Sequence, residues 1–376
     1  MFASDSSNNR ECIVTRNRAA EFFAGIGLVR MSLERAGWQV NFANDIDPSK
    51  FSLYRANFGD HDFVLGDIRN IRAKMMPSIA LATVSFPCID LSLAGNRSGL
   101  NGQHSSAYWE FYRIIKEMGT RRPFAVMLEN VLGLLSSNGG EDLRAILSSL
   151  GTLGYSYDIV VVNAAHFVPQ SRPRLFVIGS LCPRPKRFSG LQSHTTRPRQ
   201  ILEFIGNHPA LKWNHLILPP LPQRKHDLDD LMERFQSTSP IWWDKNRQAR
   251  LFHQMSPLHK KLLSDLIGSK RTKFATVYKR VRPAGCRAEV RADGVAGCLR
   301  TPRGGSSKQF VIQAGYGTWR ARNMTAREYA RLQGVPDTFK IDVPYNDALF
   351  GFGDAVCVPA VEWVINYCVN PLLPSF

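Results

Sequence analysis

A cysteine and a glutamate each follow an apolar stretch of this sequence, where a strand would end. Residues 79–84, Ile-Ala-Leu-Ala-Thr-Val, lead through Ser85 into Phe86-Pro87-Cys88. A second apolar stretch at 124–128 leads into Glu129-Asn130-Val131, which places the glutamate 41 positions after the cysteine. Open α/β sheets bind their ligands at the carboxyl ends of their strands. We therefore predict an active site built on Cys88 and Glu129.

These two groups are what covalent addition to a pyrimidine ring requires. A thiolate adds to carbon 6 of cytosine, and a carboxyl group that hydrogen-bonds ring nitrogen 3 and the amino group neutralises the charge that builds on the ring. Carbon 5 then attacks a methyl sulfonium, a base removes the carbon 5 proton, and elimination frees the cysteine. Taken singly, Cys88 could be a core cysteine and Glu129 a strand-end cap. Their pairing favours the chemical interpretation.

A third element, Gln170-Ser-Arg172-Pro-Arg174, stands directly before the apolar stretch 175–178. Its guanidinium groups could reach a carbonyl oxygen of a base or a phosphate. The alternative interpretation is a basic surface loop.

Acidic residues and glycines mark a predicted cofactor site. Gly25 and Gly27 lie between the first predicted strand and the first helix, where glycine lets backbone amides approach a ligand. Asp45 ends the second strand and could bind ribose hydroxyls, and Asp67 ends the third, within reach of an adenine amino group. The pattern predicts an adenosine-containing cofactor but does not separate a nicotinamide from S-adenosylmethionine.

Between 18 and 180, short apolar stretches alternate with amphipathic ones, which predicts a doubly wound, mostly parallel α/β sheet. The predicted strands are 18–23, 39–44, 62–66, 79–85, 124–129, 156–163 and 174–179. The predicted helices are 27–36, 48–57, 106–118 and 141–150. From 181 proline, tryptophan and basic residues rise, short strands are expected within 285–317, and Thr325 with Glu328 predicts a helix-starting capping box.

Positive charge is concentrated in one segment. Of a net charge of +17, residues 183–344 hold 30 Lys+Arg against 12 Asp+Glu, a net +18, and the remainder is at −1. This asymmetry predicts a polyanion-binding domain at 183–344. The remaining segments, 18–182 plus 345–376, would form a catalytic domain that binds the cofactor, after a disordered leader at 1–17.

Composition argues against several other classes of protein. The seven cysteines are odd in number and include no Cys-x-x-Cys pair, which disfavours a disulfide framework and a structural zinc site, so no metal is expected. No uninterrupted apolar run of about 18 residues appears, and the polar start lacks the apolar core of a signal peptide. We expect a reduced, cytoplasmic protein without a membrane span.

The ordered motifs resemble the DNA (cytosine-5)-methyltransferases of bacterial restriction–modification systems over nearly the whole chain. In chain order they are Phe23-Ala-Gly-Ile-Gly27, Asp45, Gly66-Asp67-Ile68, Phe86-Pro-Cys88, Glu129-Asn-Val131, Gln170-Ser-Arg-Pro-Arg174, Arg327-Glu-Tyr-Ala-Arg-Leu-Gln333 and Gly353-Asp-Ala-Val356. The resemblance implies an S-adenosylmethionine-dependent methyltransferase with a Rossmann-like fold and a smaller, mixed, loop-rich target-recognition domain.

The resemblance also implies residue roles. Cys88 would be the nucleophile, Glu129 would hold and protonate the base, Arg174 would contact the cytosine oxygen, and Arg172 would support the site. The S-adenosylmethionine pocket would comprise Phe23, Gly25, Gly27, Asp45, Ile46, Asp67, Ile68, Pro87, Tyr108, Asp354 and Ala355. DNA contacts would come from Ser92, Arg97, Gln170, Arg300, Arg303, Gly304 and Gly305.

Two loops are expected to handle the DNA. The glycine-rich segment 90–106, which includes Arg97, would close over a cytosine flipped out of the duplex. Residues 298–308 would read the sequence, because their small residues allow close approach to a groove and Arg300 and Arg303 can bridge guanine edges or phosphates. The expected partners are double-stranded DNA and a cognate endonuclease that acts on the same site without forming a stable complex. The chain itself is expected to be a monomer.

Four positions depart from the family pattern. Glu21 stands where the family usually has Asp, Leu28 where a third Gly is common, Ile89 where Gln is usual, and Asp354 where Asn is usual. Two related functions stay open, a tRNA cytosine-5 methyltransferase and a catalytically inactive DNA-binding relative. The long basic segment disfavours the first, and the presence of both Cys88 and Glu129 disfavours the second. A nicotinamide oxidoreductase leaves those two residues unexplained, and amino-methylating DNA enzymes need Pro-Pro-aromatic where this chain has Phe-Pro-Cys.

Overall fold

The computed structural model describes residues 17–86, 106–181, 195–282, 285–301 and 308–373. The chain divides into two compact units. The first comprises Met1–Val162, Pro173–Leu221 and Ala360–Phe376, and the second comprises Asn163–Arg172 and Pro222–Pro359.

The first unit is built on one sheet whose strands run in the order β3-β2-β1-β4-β5-β7-β6. The strands are β1 Arg18–Phe22, β2 Gln39–Asp45, β3 Phe63–Leu65, β4 Leu81–Val84, β5 Ala125–Val131, β6 Ser156–Asn163 and β7 Pro173–Ser180. Pairing is parallel from β3 through β5, and β7 lies antiparallel to β5. The predicted mostly parallel α/β sheet and its seven strands are confirmed.

Helices of the first unit follow the strands closely. They are α1 Leu28–Arg35, α2 Pro48–Phe58, α3 Ser106–Glu117, α4 Gly133–Ser136, α5 Glu141–Thr152 and α6 Arg199–Asn207. Helix α2 starts where its sequence dictates, because Asp47 accepts hydrogen bonds from the amides of Ser49 and Lys50 and proline occupies the first helical position. The four helices predicted before residue 151 are all present. The buried faces of α3 and α5 share a core with the sheet that includes Phe22, Phe111 and Leu147.

Residues 195–216 also belong to the first unit, although the sequence groups them with the basic segment. The backbone amide of Val161 in β6 donates to the carbonyl of Thr196, and the amide of Tyr157 donates to that of Lys212. These bonds cover the β6 edge of the sheet, which would otherwise be open to pairing with another chain. The boundaries of the two compact units therefore differ from the predicted domain boundaries at 182/183 and 344/345. The division into a catalytic and a recognition domain stays a prediction.

The second unit contains a four-stranded sheet in the order β11-β10-β8-β9, with antiparallel pairing throughout. Its strands are β8 Lys273–Arg282, β9 Gly285–Arg291, β10 Gln309–Gly315 and β11 Thr318–Asn323. Its helices are α7 Leu228–Leu231, α8 Lys245–His253, α9 Pro257–Ile267, α10 Ala326–Leu332 and α11 Tyr345–Asp354. Trp243, Leu251 and Leu263 pack on one face of the sheet.

The predicted capping box starts α10. Thr325 accepts from the amide of Glu328, whose side chain accepts from the amide of Thr325. Glu328 also forms an ion pair with Arg322 in which both side chains are fully buried. A buried pair of this kind is strongly destabilising to break, because one charge is left without its partner.

The C-terminal helices run from α11 into α12, Val358–Val364, followed by a π-helical turn, Ile365–Val369. The whole stretch Tyr345–Leu372 is long and apolar enough to cross a membrane, but 72% of its most apolar window is buried, as in the core helix of a soluble protein. Within the first unit, the indole of Trp38 donates to the side chain of Asn370 at 2.9 Å and fixes the chain end.

Candidate active site

Glu129 and Arg174 meet at the carboxyl end of β5 in the first unit. In the antiparallel ladder Val131 faces Arg174, so Glu129 and Arg174 lie on a cross-strand diagonal. Arg174 Nε stands 2.8 Å from Glu129 Oε1, with only 16% and 11% of the two side chains exposed. The ion pair fixes the orientation of a carboxyl group and a guanidinium at one strand tip. Two of the predicted catalytic residues are thus adjacent in space.

Asn130 connects this strand tip to the segment that carries the predicted nucleophile. Its side-chain amide donates to the carbonyl of Phe86 at 3.2 Å, and its side-chain oxygen accepts from the amide of Val131 at 2.9 Å. Phe86 and Asn130 are both buried. Because Phe86 lies two residues before Cys88, this bond anchors the backbone just ahead of the thiol. The sequence analysis gave Asn130 no role, although it stands in the Glu129-Asn130-Val131 motif.

Several predicted site residues fall outside the described ranges. They are Pro87, Cys88, Ser92, Arg97, Arg303, Gly304 and Gly305. Their assigned roles stay predictions, as does the predicted closing loop at 90–106.

The turn between β1 and α1 has the backbone geometry of a ligand cradle. Gly25 and Gly27 have positive φ values, and so does Phe23, at 58°. The amide of Gly25 donates to Asp45 Oδ2 at 2.8 Å, and the amide of Asp47 donates to Asp45 Oδ1 at 2.9 Å. Asp45 therefore holds together the turns that follow β1 and β2. Each carboxylate oxygen has a further lone pair for a hydroxyl donor.

The groups at these strand tips fit the adenosyl part of S-adenosylmethionine. A side chain built on Gly25 would meet nothing within 4 Å, so open space lies beside its backbone. Ile46, directly after Asp45, is 62% exposed and offers an apolar contact. Asp67 is paired with Arg69 at 2.5 Å, so an adenine amino group would share this carboxylate with a guanidinium. Ile68 is buried beside it.

Tyr108 occupies a different environment from the one predicted. It is fully buried, and its hydroxyl lies 2.6 Å from Ser149 Oγ and 3.2 Å from the carbonyl oxygen of Ile146. These contacts join α3 to α5, and burial raises the pKa of the hydroxyl above its ordinary range. The side chain packs between these helices in the structure, and its contact with the cofactor stays a prediction.

Glu21 lies beneath the cofactor turn, in the interior. Its Oε1 accepts from the amide of Arg30 at 3.3 Å, while Oε2 finds no hydrogen-bond partner among the described residues. Burial raises the pKa of Glu21 to about 8, against an opposing effect of Arg30. Burial therefore favours the neutral form of this side chain, which is one carbon longer than the usual Asp.

Arg172 belongs to the second unit, where its guanidinium donates hydrogen bonds to backbone carbonyl oxygens. It donates to Leu299 at 2.7 Å, to Gly353 at 3.1 Å and to Ala355 at 2.5 Å. The arginine is buried and joins the segment before residue 301 to the C-terminal end of α11. Among the described residues Arg172 therefore positions backbone segments of the second unit, and its support of the catalytic site stays a prediction.

Gln170 is likewise internal to the second unit. Its amide donates to the carbonyl of Leu332 and to Gln333 Oε1, and its oxygen accepts from the amide of Leu299. It is fully buried, so the structure gives it a positioning role and no surface for the predicted DNA contact.

The predicted cofactor motif of α11 approaches the predicted recognition segment. A Cβ on Gly353 would stand 2.7 Å from backbone atoms of Arg300 and Thr301, so only glycine fits there. The hydroxyl of Thr301 donates to the exposed Asp354. Arg300 is exposed, as a DNA contact would require. The second unit thus brings Arg172, Gln170, Arg300 and residues 353–355 together.

The seven-stranded sheet and its strand-tip groups have the form of the Rossmann-like fold of S-adenosylmethionine-dependent methyltransferases, and the chain adds a second, antiparallel sheet. The family follows from the sequence. The family model of C-5 cytosine-specific DNA methylases matches residues 17–370, and the chain belongs to this family. It is a DNA (cytosine-5-)-methyltransferase that takes its methyl group from S-adenosylmethionine.

Curated relatives agree with this placement, and a solved structure shares the fold. The Type II methyltransferase M.NgoBI of Neisseria gonorrhoeae is 26% identical over 93% of this chain and 92% of its own length. M.HhaI of Haemophilus parahaemolyticus is 24% identical over 93% and 94%. The fold resembles that of the S. pombe Dnmt2 methyltransferase, with a TM-score of 0.60, 19% identity and coverage of 95% of this chain and 99% of the other.

Proposed function

We propose that this enzyme methylates carbon 5 of one cytosine within a short DNA sequence, through a transient bond between Cys88 and carbon 6. The observation that carries the proposal is the Glu129–Arg174 pair at the tip of β5, with Asn130 anchored to Phe86 ahead of the cysteine. The tip of β5 then presents a carboxyl group to the base while the segment after β4 presents a thiol.

Three side chains of the protein act on the cytosine. The Cys88 thiolate attacks carbon 6, and the Glu129 carboxyl group donates a proton to ring nitrogen 3 and accepts a hydrogen bond from the amino group, which neutralises the charge that develops on the ring. Arg174, held against Glu129, faces the cytosine carbonyl oxygen. S-adenosylmethionine supplies the methyl sulfonium that carbon 5 attacks. Loss of the carbon 5 proton to a base then breaks the bond to Cys88 and restores the thiol.

Access to carbon 6 requires the base to leave the duplex. Ring atoms inside a stacked helix are shielded above and below, and flipping the nucleotide out costs a few kcal/mol. We assign that step to the segment 90–106 and to phosphate contacts made by basic residues of the chain. The names of the relatives support a Type II restriction–modification setting. We further propose that a cognate endonuclease acts on the same site without a stable complex, and that this chain works as a monomer in the cytoplasm.

Replacement of the nucleophile tests the assignment directly. Cys88→Ala should reduce methyl transfer to background while the affinity for duplex DNA stays at the wild-type level, because only the reacting atom is removed. Methylation can be followed by bisulfite sequencing of DNA from expressing cells, which also reports the sequence context. Cys357→Ala, at a buried cysteine, is the matched control and should retain activity. Turnover by the Cys88→Ala protein would refute the nucleophile.

A further inference from the structure

The hairpin formed by β8 and β9 ends in a basic tip. We define the hairpin tip as Lys279–Val281 of β8 together with Cys286–Arg287 of β9. Residues 279–289 carry four Lys+Arg and one Glu. Arg280 and Arg287 are exposed, and Val281, at the far end of β8, is 74% exposed. The buried side chains of β8 and β9 lie farther from this end of the hairpin, from Phe274 to Val277 on β8 and at Ala288 and Val290 on β9.

The strand register places two positive charges directly opposite each other. Arg280 faces Arg287 across the antiparallel ladder. Like charges at directly opposite positions destabilise a strand pair. Both side chains are exposed and lie outside the core of the second unit. A polyanion bound at the tip would turn the repulsion into attraction.

One of the two arginines is held in place. Arg280 donates to the hydroxyl of Tyr278 at 2.6 Å, and its Nε lies 2.9 Å from Glu289 Oε2. Both partners are on the same face of the hairpin, so the guanidinium is oriented without loss of its exposed edge. The guanidinium of Arg287, in contrast, makes no hydrogen bond or ion pair with the residues that the structure describes. The tip thus offers one ordered and one available guanidinium, both suited to phosphate oxygens.

We propose that the hairpin tip is a phosphate-contacting arm for duplex DNA, with Arg280 and Arg287 bound to the backbone. This inference rests on the proposed function, which makes duplex DNA the substrate, and adds a surface that the sequence analysis did not assign. A two-stranded ribbon has the width that the major groove admits, and phosphates line both sides of that groove. Phosphate contacts fix orientation and carry no sequence information.

Binding measurements on the full-length protein without S-adenosylmethionine test the arm. The dissociation constant for a fluorescent duplex of mixed sequence is measured by anisotropy at several salt concentrations. Arg287→Gln should bind several-fold more weakly, and the slope of log K against log[salt] should fall by about 0.9. The double variant Arg280→Gln/Arg287→Gln should lower the slope by about 1.8. The same loss is expected on every duplex sequence.

A matched control and a stability readout complete the test. Arg271→Gln removes an exposed arginine just before the opposite end of β8 and should leave the slope unchanged. The melting temperature of Arg287→Gln should equal or exceed that of the wild type, because the facing repulsion is gone.

An unchanged slope in Arg287→Gln would overturn the proposal, as would a loss confined to one DNA sequence or a change only in self-association. These outcomes leave the Cys88→Ala result untouched, so failure of the arm and failure of the proposed chemistry are distinguishable.

Discussion

Glu21 is a buried side chain at which this sequence departs from the family pattern. The family pattern has Asp at this position, and this chain has a longer acid in the interior with one oxygen unpaired among the described atoms. Because burial raises the pKa of Glu21 to about 8, the folded protein keeps a proton that the unfolded chain releases near its ordinary value of 4.5. The free energy of unfolding should therefore decline as pH rises from about 4.5 to about 8 and level off above that range.

Glu21→Gln should remove this decline, since a glutamine is neutral at every pH. At pH 7 the variant should gain stability on the order of a few kcal/mol relative to wild type. Urea unfolding at a series of pH values measures the effect. Glu21→Asp, which restores the usual residue, keeps an ionisable group and should keep a pH dependence. A Glu21→Gln protein with the wild-type pH profile would show that this carboxyl is ionised in the fold.

The position of Arg174 beside Glu129 depends on the antiparallel direction of β7, which the sequence analysis did not predict. Residue types and order were enough to predict that Glu129 and Asp45 lie at strand ends. Each follows or precedes an apolar stretch, and strand tips meet at one edge of a parallel sheet. The environments of Gln170 and Tyr108 were not predictable in the same way. Both are polar residues inside motifs, and whether such a group faces a ligand or a buried carbonyl depends on neighbours far away in the sequence.

At the level of elements, the neighbouring ends of β4 and β5 are joined through one side chain. Asn130→Asp should keep the acceptor for the amide of Val131 and lose the donor to the carbonyl of Phe86. A carboxylate against that carbonyl should shift the backbone ahead of Cys88. Misplacement of a reacting group by about 1 Å can cost about 100-fold in rate.

The expected result for Asn130→Asp is a fall in kcat of about tenfold or more with an unchanged dissociation constant for DNA. Single-turnover methylation and anisotropy measure the two quantities. Asn138→Asp, on the loop before α5, is the matched control and should leave both unchanged. Equal losses in binding and rate would show that Asn130 supports the fold as a whole rather than the position of the thiol.

Local pattern predicted the strands and helices well, because apolar alternation and caps are properties of neighbouring residues. It did not predict the pairing of residues 195–216 with β6, nor the Arg322–Glu328 pair of the second unit. Both join segments through contacts that leave no periodic signal in the sequence. The antiparallel insertion of β7 between β5 and β6 is a further case.

At the scale of the whole molecule, the net charges of the two compact units differ less than those of residues 183–344 and the remainder of the sequence. The second unit holds 25 Lys+Arg against 13 Asp+Glu, a net +12, and the first unit is at +5. The basic residues at 184–212 account for part of this difference, because they belong to the first unit. Positive charge still predominates in the second unit, as a DNA-binding role requires.

Binding of any duplex should accordingly weaken steeply with salt. We expect a loss of at least ~10-fold in affinity between about 50 and 200 mM NaCl, which corresponds to about two neutralised phosphates. Anisotropy with a mixed-sequence duplex gives the slope. Affinity that does not vary with salt would mean that the +17 net charge takes no part in DNA binding.

The bond between Cys88 and carbon 6 is most directly tested with a duplex that carries 5-fluorocytosine at the methylated position. Fluorine cannot leave carbon 5 as a proton does, so the final elimination is blocked. With S-adenosylmethionine present, we predict an adduct that survives denaturation, with the DNA mass on the peptide that contains Cys88 and none in the Cys88→Ala protein. A wild-type enzyme that forms no such adduct while it methylates ordinary cytosine, or an adduct on another residue, would contradict the mechanism.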